Sequence, residues 1–132
     1  MSRQAYGGTN PNEGYGGHDE DQGQMGGVSA LMKLGLFSLR GTSSQRPIYE
    51  LTAPEFENIT IHLDPKYYSG KSFRIKAHDV AEENCYIQRA HLNGSPLERC
   101  WLYHDEFAQG GQLELWLGDE PNKTWGVSPL PN

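Results

Sequence analysis

The sequence predicts a mixed α+β chain, with one glycine-rich apolar helix ahead of a small antiparallel β domain. Three observations carry that expectation. Residues 1–27 hold almost nothing to bury and are punctuated by Gly7, Gly8, Gly14, Gly16, Gly17, Gly23, Gly26 and Gly27. A three-and-four spacing of apolar residues follows, the mark of a helix packed on one side. From Pro47 onward the apolar positions recur every second residue, as in half-buried strands.

Each element has its own local reason. The segment 1–27 reads as a flexible or loop segment, and a loop that long inside a compact domain is either disordered or an active-site element. Met25, Val28, Leu31, Met32, Leu36 and Leu39 form the helical stripe, with Ser29 and Lys33 on the opposite side. Leu34 and Phe37 fall off that stripe, so the helix is apolar around most of its girth, and Asp21 stands where it could cap the start. Gly26, Gly27 and Gly35 each weaken such a helix by about 1 kcal/mol relative to Ala. It makes better sense packed between other helices than standing free.

The strand candidates are Asn58–Leu63, Ser72–Ala77 and Gln112–Leu115, with Ile48–Thr52 as a further one. Residues 85–92 and 97–103 add two more, joined through Asn93-Gly94, whose tolerance of positive φ suits a type I′ hairpin. A two-residue turn there would set Tyr86 opposite Trp101. Asp105, with Glu106-Phe107-Ala108-Gln109 and Gly110-Gly111, reads as one capped helical turn closed by glycines. The sum is one helix and about five or six antiparallel strands, which close up as a small sandwich or a curved sheet.

Composition narrows the function. At 132 residues the chain has room for one domain or for a fragment of something larger. Its 17 acidic residues outnumber 11 basic ones, a formal charge of −6, and the linear sequence holds no Lys/Arg cluster. That balance argues against nucleic acid or an anionic membrane as partner. No apolar stretch follows Met1, so no signal peptide is read on the chain as given. Val28–Leu39 is interrupted by Lys33 and Gly35 and is too short to span a bilayer. Cys85 and Cys100 cannot make a structural zinc site unaided, nor a disulfide framework.

The densest ionisable cluster is His18-Asp19-Glu20-Asp21. An EF-hand loop beginning at Asp19 fails, because it needs a ligand at Gly23 and a glutamate at Ala30. Glycosidases use paired carboxylates, and inverting ones hold theirs roughly 6.5–9.5 Å apart so that a water fits between. Asp19 and Asp21 could line one pocket and hold that water together, with the acid partner supplied from elsewhere. The plainer reading is that these acids cap the helix that follows and favour its dipole. His104-Asp105 divides the same way, between a dyad and a cap with a surface group. Trp125 either stacks on a sugar or packs under the chain, and Tyr67-Tyr68 is most simply a turn with an aromatic plug.

In order along the chain, these segments resemble glycoside hydrolase family 92. The run Gly14-Tyr15-Gly16-Gly17-His18-Asp19-Glu20-Asp21-Gln22-Gly23-Gln24-Met25 is similar to that family's acidic Gly-Gln-Met motif. Leu36-Phe37-Ser38, Pro54-Glu55-Phe56, Thr60-Ile61-His62-Leu63, Glu83 to Gln88 and Leu92-Asn93-Gly94 follow in the family's order. His104-Asp105-Glu106, Gly110 to Glu114 and Pro121 to Gly126 complete it. The likeness covers roughly residues 14–126.

The resemblance implies an exo-acting, inverting, Ca²⁺-dependent α-mannosidase whose N-terminal β-sandwich and (α/α)₆ barrel enclose the active site. Residues 1–42 would then be an active-site loop and the last helix of a truncated barrel, and 43–132 a C-terminal antiparallel β domain. Asp21 is implied as the base that activates water and Asp19 as its assistant, with Glu20 turned away. The general-acid Glu and most Ca²⁺ ligands would lie upstream, so the chain is expected to be an inactive fragment of an enzyme acting on α-mannoside glycans of N-glycan or mannan type. The parent would be periplasmic or extracellular. Many relatives have an aromatic-rich stretch where this chain has Gly26-Gly27-Val28-Ser29-Ala30, so the resemblance implies no linkage preference. Two other readings stay open: a free-standing carbohydrate-binding β-sandwich that stacks sugars on Trp101, Trp116 and Trp125, and a segment that docks its helix into a separate upstream polypeptide.

Overall fold

A computed structural model describes residue 10 and residues 23–39 and 44–131. Helix α1 (Gln24–Leu34) leads into β1 (Leu36–Phe37), β2 (Ile48–Leu51), β3 (Asn58–His62) and β4 (Ser72–His78). There follow β5 (Tyr86–Leu92), β6 (Ser95–Pro96), β7 (Trp101–Tyr103), the short helix α2 (His104–Ala108) and β8 (Gly111–Gly118). The described strands form two sheets, one ordered β1-β2-β7 and the other β3-β4-β8-β5-β6.

One core serves both sheets. In β4 and β8 every second side chain turns inward, so Phe73, Ile75, Leu113 and Leu115 are at most 1% exposed. Leu102 from β7, with Leu36 and Leu51 from β1 and β2, joins the same cluster. Burying a side chain of this size stabilises by about 1.5–3 kcal/mol, so the alternation seen in the sequence translates directly into the centre of the fold.

Several expectations change on folding. The helix does not run on to Leu39. Gly35 adopts φ +78° and its N–H donates to the Met32 carbonyl at 3.1 Å, a left-handed glycine stop. Leu36 is then drawn into β1 opposite Leu51 and is buried. The stripe chosen from spacing meets protein only in part: Met25, Val28 and Met32 are half-buried, Leu31 is 37% exposed, and Ser29, read on the opposite side, is the buried residue of α1. Periodicity reports where apolar groups lie, and it cannot say what stands opposite them.

The described strands number eight rather than five or six, and the larger sheet is not wholly antiparallel. β4 and β8 run parallel, with Phe73 beside Gly111 and His78 beside Trp116. A parallel pair needs a crossover of a dozen residues or more, and residues 79–110 provide one. The Asn93-Gly94 turn forms with φ values of 52° and 82°, as its sequence predicts, but the hairpin pairs only His91 with Pro96 and Leu92 with Ser95. Tyr86 faces Gly118, and Trp101 lies in the other sheet opposite Glu50. β6 and β8 flank β5 on opposite edges, and the hairpin stays short because the chain beyond Pro96 leaves for the smaller sheet as β7.

Candidate functional site

Asp19 and Asp21, the carboxylates singled out in the sequence, lie outside the described residues, as do His18 and Glu20. Gly23 occupies the N-cap of α1 with φ 85°. Gly27 donates its N–H to the Gly23 carbonyl at 2.9 Å, no side chain caps the helix, and its first turn carries no acid. The N-cap is therefore not Asp21. At the other end α1 is tied to the chain between β2 and β3: Thr52 N–H donates to the Gly35 carbonyl and Glu55 N–H to the Lys33 carbonyl, both at 3.0 Å. A Cβ on Gly35 would stand 2.7 Å from the Thr52 carbonyl oxygen. The acidic motif thus joins the end of a helix that is anchored at its opposite end.

His104 and Asp105 do not form a dyad. Asp105 bonds Arg46 Nε at 2.9 Å, and that hydrogen bond, reinforced by the guanidinium charge, holds its carboxyl below the usual carboxylate range. The His104 ring meets the Tyr49 hydroxyl at 2.9 Å within an aromatic cluster that includes Tyr68 and Phe107. Burial, with Tyr68 adding to it, raises the Tyr49 phenol above its ordinary pKa. Tyr68 is the aromatic plug, while Tyr67 is exposed. Asp105 does not cap α2 either. Glu106 does so, accepting the Tyr103 N–H at 2.8 Å while it pairs with Arg99 at 2.6 Å.

The three tryptophans are occupied within the chain. Trp101 is buried under Arg99 and Tyr103. His78 stacks on the Trp116 ring at 4.8 Å and 11°, and Arg89 lies over it at 4.0 Å. Trp125 donates its indole N–H to the Leu97 carbonyl at 2.7 Å and lines an open cleft of about 300 Å³ with Leu51, Tyr86 and Asn122. Asn122 is spent on the Gln88 carbonyl, on Thr124 and on the Trp125 N–H. Packing, rather than an open stacking platform, accounts for all three. Cys85 and Cys100 are free thiols.

Two features escaped sequence reasoning. Glu50 Oε1 and Trp101 Nε1, on residues that face each other across β2 and β7, are buried without a hydrogen-bond partner; no sequence signal marks them. On the outer side of the larger sheet, Glu114 bonds His78 at 2.8 Å and Lys76 at 3.2 Å. Those contacts, the imidazole bond first, lower its pKa. The alternation Arg74, Lys76, His78 was the signal for that cluster. Among the described residues no group of three or more His, Cys, Asp or Glu side chains is gathered that could hold a metal ion, so the described residues do not fit a calcium site.

The model of the glycosyl hydrolase family 92 catalytic domain matches residues 1–119. An uncharacterized secreted glycosidase of Arthroderma benhamiae is 38% identical over 111 residues, which is 83% of this chain and 13% of that protein. A family 92 inverting mannosidase from Bacteroides thetaiotaomicron superposes with a TM-score of 0.73 at 36% identity, over 89% of this chain and 15% of that one. A family 92 α-mannosidase from the same organism, in complex with mannoimidazole, superposes at 0.70 over 80% and 13%; at 24% identity it is a likeness of fold. The chain spans about one-seventh of the length of these relatives.

Proposed function

This chain belongs to glycoside hydrolase family 92, and on that premise we propose that it is the C-terminal portion of an α-mannosidase that removes terminal α-mannose with inversion. The observation that carries the reading is the family match across residues 1–119, which takes in the acidic motif and both sheets. The glycans concerned are of the N-glycan or mannan type.

Residues 1–42 supply an active-site loop and the last helix of the (α/α)₆ barrel, and residues 43–132 a β domain that supports them. The state of α1 supports that division. A helix of 11 residues with two internal glycines and one buried side chain is too short and too poorly covered to be stable by itself, and neighbouring barrel helices would cover it. In the reaction Asp21 accepts a proton from the attacking water and Asp19 orients that water. A glutamic acid from the upstream part protonates the departing glycosidic oxygen on the opposite face of the sugar. A calcium ion would be held mostly by residues upstream of these 132. Because one carboxylate of the pair comes from outside these 132 residues, the chain by itself turns over no mannoside. The secreted fungal relative favours a periplasmic or extracellular parent. Carbohydrate binding without cleavage is the weaker reading, since Trp101, Trp116 and Trp125 are committed to internal contacts.

The test is mannose release from α-mannosides, measured for this chain alone and for the chain joined to the upstream catalytic region of a family member. The isolated chain should release none. In the joined protein Asp21→Asn should lower kcat by about 10²–10⁴-fold, and NMR of the fresh product should show the β anomer. A full rate with Asp21→Asn, or α-mannose as first product, sinks the assignment.

A further inference from the structure

The chain carries a net charge of −6, yet its larger sheet segregates charge in the opposite sense. Residues paired directly across strands present their side chains to the same side of a sheet. The registers Asn58–Lys76, Thr60–Arg74 and His62–Ser72 join β3 to β4. Arg74–Gln112, Lys76–Glu114 and His78–Trp116 join β4 to β8, and Arg89–Trp116 and His91–Glu114 join β8 to β5. The alternate residues Phe73, Ile75, Leu113 and Leu115 point into the core, so all the paired residues just named lie on the outer face.

That face holds Arg74, Lys76 and Arg89, the three histidines His62, His78 and His91, and one carboxylate, Glu114. Glu114 is engaged by His78 and Lys76. Arg74, Lys76 and Arg89 are exposed. No ion pair joins Arg74 or Arg89 to a carboxylate among the described residues, and Arg89 rests on the Trp116 ring at 4.0 Å. Asn58, Thr60 and Gln112 add uncharged hydrogen-bonding groups between the cations. Asp79 and Asp119 follow directly after β4 and β8.

We propose that this outer sheet face binds an anionic glycan, a saccharide chain bearing carboxylate, sulfate or phosphate groups. The cations attract the acidic groups, and the amide and hydroxyl side chains between them suit saccharide hydroxyls. Nucleic acid fits less well. Single strands are held by bases stacked on open aromatic rings, and the one tryptophan here is covered by His78 and Arg89. Reading a duplex major groove takes a helix or a two-stranded ribbon that projects into it, and a broad five-stranded face offers neither. The proposal goes beyond the hydrolytic reading and does not depend on it.

His78 faces Glu114, Lys76, Trp116 and, across that ring, Arg89. His91 faces Glu114 and Trp116, and His62 lies opposite Ser72.

The probe is heparin, titrated against the 132-residue chain and against a double variant, Arg74→Gln with Arg89→Gln. Both arginines are exposed, and an unchanged thermal midpoint confirms that the variant folds. Heparin should bind the parent chain at least about tenfold more tightly than the double variant. Binding should weaken with added salt. Unaltered heparin binding by the double variant overturns the proposal. So does equal binding of neutral mannan, or of duplex DNA, which would reveal either no charge recognition or an indiscriminate polyanion surface.

Discussion

The pair β4–β8 and the helix α1 are both apolar segments, but they meet the requirement for burial in opposite ways. In the two strands Phe73, Ile75, Ala77, Leu113, Leu115 and Leu117 are all 5% exposed or less, because each strand lays its inward side chains beside those of its neighbour. In α1 Leu31 is 37% exposed and Ser29 is the one buried residue. The strand pair is enclosed by side chains that this chain itself supplies, Leu36, Leu51, Leu102 and Phe107 among them. The helix is held by its C-terminal end and depends on contacts from elsewhere for the rest. The part nearest the proposed chemistry is therefore the part this chain stabilises least.

The widest test of that contrast is a pair of truncations. Leu115→Ala should cost about 2–5 kcal/mol in urea unfolding, since it opens a cavity at a fully enclosed position. Leu31→Ala, at a partly exposed helix position, should stay within about 1 kcal/mol. Comparable losses at the two sites would mean that the helix is as well packed as the sheet.

Gly35→Ala sharpens the comparison at the junction. The residue has φ +78° and its new Cβ would press on the Thr52 carbonyl oxygen, so about 1–2 kcal/mol or more of strain falls on the helix stop. Helical circular dichroism should fall while the midpoint for the sheet moves little. If both fall together, the two regions unfold as one unit.

The smallest effect concerns Arg46 and Asp105, a half-exposed pair beside α2. The folded pKa of Asp105 is lowered, first by its hydrogen bond to Arg46. Its contribution to stability is therefore present above the ordinary carboxylate pKa of about 3.9 and is lost as pH falls through the lower folded value. Parent and Arg46→Gln proteins should differ slightly at neutral pH and converge in strong acid, or in about 1 M salt. A gap that persists in acid would assign the role of Arg46 to its packing over the Tyr103 ring at 3.3 Å.

Much of the larger sheet was legible in advance because the period-two pattern of β3, β4 and β8 is a local property with one structural meaning. The Asn93-Gly94 turn was legible for the same kind of reason: positive φ at both residues is what such a turn requires. Partner choice was not. Tyr86 lies against Gly118 across one edge of β5, while Trp101 is carried off to pair with Glu50 in the other sheet. The helix boundary was misjudged because the apolar stripe continues through Gly35, and only the Thr52 segment fixes where the helix must stop. At the site, the acidic motif stood out as a run of residues, and its carboxylates lie outside the described residues. The cations of the outer sheet face were overlooked because they are scattered in sequence.

By itself, then, the sequence determined the class of each segment, the turn chemistry and the family to which the chain belongs, since these follow from neighbours within a few residues and from motif order. Tertiary structure alone decided that β4 and β8 run parallel, which side of α1 is covered, that the three tryptophans are spent on packing, and that dispersed Arg, Lys and His side chains share one face. All four depend on which distant strand or segment arrives opposite a given residue. That is settled by competition for burial and for backbone hydrogen bonds across the whole chain.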